Sequence, residues 1–192
     1  MERAVFLDRD GTIIEDVGYL DDCSRMKFLP GAVESIRLLN KSGYKVIIVT
    51  NQAGVAKGYF SEDTLKEINS KMLKLMVAQG AYIDKIYYCP HHIEGTIEEY
   101  RKECPWRKPN PGMIEEAARE YNLDLKNSYM IGDKISDMEA GRRAGCKTIF
   151  LTGNNQLNEG DKIALADHNA TGLYDAVQWL AAVEHTESAA QH

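Results

Sequence analysis

Two aspartates, Asp8 and Asp10, stand one residue apart where the apolar run Ala4 to Leu7 ends, and Gly11 and Thr12 follow at once. Burying carboxylates beside a strand is costly, so the pair needs a reason. One reason is phosphoryl transfer. An aspartate at a strand end can attack phosphorus and carry the phosphoryl group as an aspartyl-phosphate. A second carboxyl nearby can protonate the leaving oxygen and then activate water. An i, i+2 spacing puts both side chains on one side of an extended backbone, and Gly11 permits a tight turn after them. The alternative is a solvated turn, since Asp-Gly is a common turn dipeptide. The rest of the chain has to decide.

Three further segments carry compatible chemistry. Thr50, in "VIIVTNQAGVAKG", offers a hydroxyl and a glycine-containing loop to a phosphoryl oxygen, and Lys57 adds charge. Lys108, in "WRKPNPG", can neutralise a transferring phosphoryl group. Arg107 beside it can clamp a second anionic group. Asp133 and Asp137, in "MIGDKISDMEAG", follow another apolar run. Mg²⁺ prefers oxygen ligands. Asp8, the backbone carbonyl of Asp10 and Asp133 make such a set. Asp137 either supports that set or serves as an acid in the first turn of a helix.

These residues must be carried by a frame, and the hydrophobic pattern supplies one. Continuous apolar runs predict strands at Ala4 to Asp8, Lys45 to Thr50, Asp84 to Cys89, Ser128 to Asp133 and Lys147 to Thr152. Helical spacing predicts helices at Ala32 to Leu39, from Ser61 to near Gly80, from Pro111 to about Tyr121, at Ser136 to Ala144, and from Leu173 to about Val183. This alternation predicts an α/β fold, an open parallel sheet with helices on both faces. Ligands of such sheets bind beyond the carboxyl ends of the strands. Asp8, Thr50 and Asp133 would all stand on that rim. The polar stretch "LTGNNQLNEGDK" is expected to be a loop, and the terminal "HTESAAQH" to fray.

The 192 residues suit one α/β domain over residues 1–192, with an irregular insert at about 89–108 where cysteines, histidines and basic residues gather. A net charge of -6 argues against a nucleic-acid partner but leaves room for a locally basic site. No run approaches a membrane span or a secretory h-region. Four cysteines in this context fit a reducing cytoplasm.

Asp8-x-Asp10-Gly11-Thr12, Thr50, Lys108 and Gly132-Asp133-x3-Asp137 resemble, in order and in strand-end position, the four motifs of the haloacid-dehalogenase-like (HAD) phosphohydrolases. The resemblance implies a Rossmann-like fold, aspartyl-phosphate chemistry and Mg²⁺. "DRDGTI", "DVGY", "TNQAGVAKG", "YYCPHH" and "CPWRKPNPGM" look like the heptose-bisphosphate 7-phosphatases across nearly the whole chain. That likeness implies removal of the 7-phosphate of D-glycero-D-manno-heptose 1,7-bisphosphate, in the synthesis of nucleotide-activated heptose for lipopolysaccharide core or S-layer glycan. It also implies a monomer without a large cap domain. The positions implied to contact the phosphorylated sugar are Asp16, Val17, Gly18, Tyr19, Thr50, Asn51, Gln52, Ala53, Arg107, Lys108 and Lys134. Histidinol-phosphate phosphatases are similar and remain the alternative. A phosphotransferase and a non-catalytic phosphosugar binder are further rivals, and the intact Asp8 and Asp10 argue against the binder.

The family's C-x-H…C-x-C pattern binds a structural Zn²⁺ with four residues. Here it matches Cys89, His91 and Cys104, but the fourth position holds Trp106, which cannot ligate. The outcomes are a three-ligand zinc, a site completed by His92 or water, and an empty site with free thiols.

Overall fold

The computed structural model describes residues 1–153 and 166–189, the last five as backbone only. Six parallel strands form one sheet in the order β3-β2-β1-β4-β5-β6. They are β1 (Ala4–Leu7), β2 (Lys45–Asn51), β3 (Lys85–Cys89), β4 (Tyr129–Gly132), β5 (Lys147–Leu151) and β6 (His168–Ala170). The helices are α1 (Ala32–Lys41), α2 (Ala53–Ala56), α3 (Glu62–Val77), α4 (Gly112–Tyr121), α5 (Ile135–Ala144) and α6 (Leu173–Ala189). No helix among the described residues is long and apolar enough to cross a membrane.

The strands are apolar on both sides because both sides are covered. Val5, Leu7, Val46, Ile48, Tyr129 and Ile131 point to one face, under α1, α3 and α6 through Ile36, Leu39, Ile68, Met72, Val177 and Leu180. The alternate residues Ala4, Phe6, Ile47, Val49 and Met130 point to the other, under α4 and α5 through Met113, Ile114, Ala117 and Ala140. A period of two along each strand thus feeds two separate cores.

The five expected strands and five expected helices are present with ends shifted by a few residues, and three differences are informative. β6 was not expected. Its sequence, "HNA", has no apolar run, and it exists because it pairs with the edge of β5 along Ile149 to Leu151. The short α2 lies inside the glycine-containing loop after β2, too brief to leave a periodic trace. α6 continues to Ala189 where fraying was expected from residue 185, while 190–192 lie outside the described residues. The expected loop at 151–162 is described only to residue 153.

Candidate active site

Because β1, β2 and β4 are adjacent and parallel, their carboxyl ends form one ledge. Asp8 follows β1 directly, Thr50 is the next-to-last residue of β2, and Asp133 follows β4. All three are buried. After Asp8 the chain folds back, with Ile13 and Ile14 donating to the Arg9 carbonyl and Gly11 donating to that of Ile14. Gly11 has a φ of +85°, and a Cβ there would lie 2.3 Å from Asp133 Oδ2. Only glycine lets the β1 turn pass this close to the β4 carboxylate.

Lys108 arrives from 100 residues away and is buried at the centre. Its ammonium lies 2.8 Å from Asp8 Oδ1 and 2.6 Å from Asp137 Oδ1, and donates to the Val49 carbonyl at 2.6 Å. Burial opposes its charge, but Asp137 and Asp8 outweigh it and hold the lysine protonated. The loop is held there by Asn51, whose amide donates to the Lys108 carbonyl at 2.9 Å and accepts from the Lys108 N–H at 3.0 Å. Asn51 therefore works on the loop backbone. Gln52 is also turned inward. Its amide donates to Asp10 Oδ2 and to Thr50 Oγ1, both at 2.8 Å.

Asp8, Asp133 and Asp137 bring carboxylate oxygens within 4.8 Å of one another. Their charges cannot coexist there unaided. Burial, then the Asp8 charge, pushes Asp133 up to about 7. Burial also pushes Asp137 up to about 6, against the pull of Lys108. Asp8 itself is lowered: burial opposes ionisation, but Lys108 and Lys134 overcome it. Buried, mutually repelling carboxylates are a donor set that fits a hard divalent cation. Asp137 is the member least free for a metal. It pairs with Lys108, and its Oδ2 accepts the Lys134 N–H at 3.0 Å, holding the start of α5.

The other expected contact residues differ in where they stand. Lys134 Nζ lies 3.1 Å from Asp16 Oδ2 and 4.0 Å from Asp8 Oδ2, tying the loop after β1 to the loop after β4. Asp16 also accepts from Gly18 N at 2.9 Å, while Val17 packs inward on the first core. Tyr19 stacks on Tyr59 with centroids 4.3 Å apart and accepts from Lys57 at 3.0 Å. Ala53 opens α2. Arg107 is anchored to the His91 carbonyl at 3.1 Å and lines a cavity of about 560 Å³ with Lys108, His92, Lys102 and Asn110. Lys102, Arg107 and Lys108 share this cleft with Glu94 and Glu103.

In the insert, Cys89, His91 and Cys104 offer ligand atoms within 4.8 Å of one another. His92 is not in this group. Its Nδ1 accepts from Glu94 N at 3.1 Å. Trp106 meets Tyr87 edge-on with centroids 5.8 Å apart and packs on the second core. Burial pushes the Cys89 thiol up to about 12.

Two residues of consequence were not singled out from the sequence. Arg9 is the unnamed middle residue of Asp8-x-Asp10, yet it is only 1% exposed and bonds Asp10 through two nitrogens. Asn69, on α3, receives the same guanidinium. The one hint was a charge placed inside a buried run.

Comparisons with known proteins agree with this geometry. Residues 105–178 match the family described as "HAD-hyrolase-like". The chain is 43% identical over 166 residues to D-glycero-beta-D-manno-heptose-1,7-bisphosphate 7-phosphatase of Pasteurella multocida, covering 85% of this chain and 90% of that one. It is 47% identical over 152 residues to the protein of the same name from Rhodopseudomonas palustris, covering 79% and 84%. Among solved structures, the D,D-heptose 1,7-bisphosphate phosphatase of B. bronchiseptica, complexed with magnesium and phosphate, superposes with a TM-score of 0.80. It is 29% identical and covers 93% of this chain and 97% of that one.

Proposed function

The chain belongs to the family of D-glycero-beta-D-manno-heptose-1,7-bisphosphate 7-phosphatases, HAD-like hydrolases, and we propose that it removes the C7 phosphate of that sugar through an aspartyl-phosphate on Asp8. The observation that carries this is the buried Lys108 ammonium, 2.8 Å from Asp8 and 2.6 Å from Asp137. It holds a carboxylate ionised where a nucleophile is required.

Asp8, Asp133 and the Asp10 carbonyl would hold Mg²⁺, which when bound supplies the positive charge that lets a carboxylate approach a phosphate. Asp8 attacks phosphorus in line. The bond from phosphorus to the sugar oxygen breaks, and that oxygen takes a proton from Asp10. Water then attacks the aspartyl-phosphate, its proton passes to Asp10, and Asp8 is released with phosphate. Thr50 Oγ1 already accepts from Gln52, so its own O–H is left to donate to a phosphoryl oxygen. Lys108 neutralises the phosphoryl group beside it. Asp16, Tyr19, Arg107 and Lys134 surround the sugar and its second phosphate, and the insert at residues 89–108 shapes the cleft within a single catalytic domain. The enzyme would serve nucleotide-activated heptose synthesis in the cytoplasm.

Histidinol phosphate is the weaker alternative. Arg107, Lys134 and Lys102 oppose a cationic amino alcohol and favour a second phosphate. Parallel kinetics on the two compounds test this, and a higher kcat/KM for histidinol phosphate would reverse the assignment. We also propose that Cys89, His91 and Cys104 hold a zinc ion that staples the insert without entering the chemistry, with water as the fourth ligand because Trp106 is committed to the core. Metal analysis of protein purified without chelator is expected to find about one zinc per chain. Zinc near zero would refute the staple.

A further inference from the structure

Arg9 is the largest fully buried side chain among the described residues, and a guanidinium is costly to bury unless its N–H groups are satisfied. Here they are spent on the acid–base aspartate and its neighbours. Nε donates to Asp10 Oδ2 at 3.1 Å, and Nη2 donates to Asp10 Oδ1 at 3.1 Å. Nη2 also donates to Gln52 Oε1 at 3.0 Å, and Nη1 to Asn69 Oδ1 at 2.9 Å. Gln52 closes the network by donating to Asp10 Oδ2 and to Thr50 Oγ1.

We propose that Arg9 is a positioning residue that fixes the Asp10 carboxyl against the leaving oxygen and, through Gln52, sets the Thr50 hydroxyl. Asp10 stands on a turn beyond the sheet, where an unsupported aspartate would sample several rotamers. The two-pronged contact removes that freedom, and a lysine cannot reproduce it. Asn69 anchors the guanidinium to α3, a 16-residue helix packed on the sheet. The network also separates the two Asp10 oxygens. Oδ2 receives both Arg9 and Gln52, whereas Oδ1 receives Arg9 alone among the described residues. Oδ1 is therefore the oxygen that gives the proton to the sugar and takes one from water.

This inference rests on the acid–base role of Asp10, so its test must separate the two. The kcat/KM of wild type, Arg9→Lys and Asp10→Asn is compared on heptose 1,7-bisphosphate and on p-nitrophenyl phosphate. The sugar alkoxide needs a proton to leave; the nitrophenolate does not. Arg9→Lys is expected to lose about 30-fold or more on the sugar and less than about 3-fold on the aryl ester, with the same split larger in Asp10→Asn. Equal losses on both substrates in Arg9→Lys, or no loss on either, with the split intact in Asp10→Asn, would overturn the positioning role alone. No split in Asp10→Asn would overturn the acid–base role itself. Should Arg9→Lys fail to fold, Asn69→Leu removes the anchor and keeps the contacts to Asp10. It is expected to show the same split at about 5-fold, and an unchanged substrate ratio would contradict the proposal.

Discussion

At the scale of single residues, the site is a problem in charge. Among the described residues, Lys108 is the one buried cation that contacts Asp8 and Asp137 together. Replacing it with methionine leaves both carboxylates without it. Lys108→Met is therefore expected to lower stability by about 3–5 kcal/mol in metal-free protein, read by urea unfolding, and to cut kcat by about 100-fold or more. Unchanged stability would mean that the ion pairs carry no net weight. Asp8→Asn should abolish turnover while the protein still folds, and substantial activity in the pure variant would remove Asp8 from the role of nucleophile. Asp8, Asp10, Thr50, Lys108 and Asp133 were legible in the sequence because each is a reactive type at a strand end or in a constrained loop. Asn51 and Gln52 were legible only in part. The resemblance implies contacts at their positions, but their amides are spent on the Lys108 backbone and on Asp10 and Thr50, partners that spacing cannot reveal. Arg9 left still less trace, since its partner Asn69 lies 60 residues away.

At the scale of elements, the question is how an insert with so little regular structure holds Arg107 and Lys108 in place. Glu62, at the start of α3, accepts from the Tyr88 hydroxyl at 2.6 Å and from the Tyr100 hydroxyl at 2.8 Å. One carboxylate thus ties β3 and the insert to a rigid helix, and these bonds, Tyr88 first, lower its pKa against the effect of burial. Glu62→Ala is expected to cost about 1–3 kcal/mol and to speed amide exchange through residues 90–105, with a raised KM as Arg107 loosens. Unchanged exchange there would leave the staple to the cysteines and His91. The parallel sheet and its main helices were legible from apolar runs because both sheet faces are buried. β6 was not, because a three-residue polar edge strand is defined by its partner and not by its own residues. Nor could the insert's geometry be foreseen, because its contacts are nonlocal.

At the scale of the whole molecule, the buried acids Asp8, Asp133 and Asp137 meet on one ledge. That ledge is linked to pH. The folded pKa of Asp133 is raised to about 7, so the folded state holds a proton there that the unfolded chain releases near 4. Its contribution to metal-free stability is present at low pH and lost as pH rises towards 7; Asp137 acts in the same direction. Asp8 acts oppositely, but its window lies below the usual carboxylate range. His91, His92 and His168, held below their ordinary value chiefly by burial, also act oppositely, so the clean readout is the increment due to Mg²⁺. That increment in Tm is expected to grow from pH 5.5 to pH 8, with Mg²⁺ affinity rising by up to about tenfold per pH unit below 7. A pH-independent increment would mean that these carboxylates are not the ligands. Regiospecific phosphate release can be read by ³¹P NMR of D-glycero-β-D-manno-heptose 1,7-bisphosphate incubated with enzyme and Mg²⁺. The C7 phosphate resonance is expected to give way to inorganic phosphate while the anomeric phosphate persists. Loss of the anomeric phosphate first, or persistence of both, would contradict it.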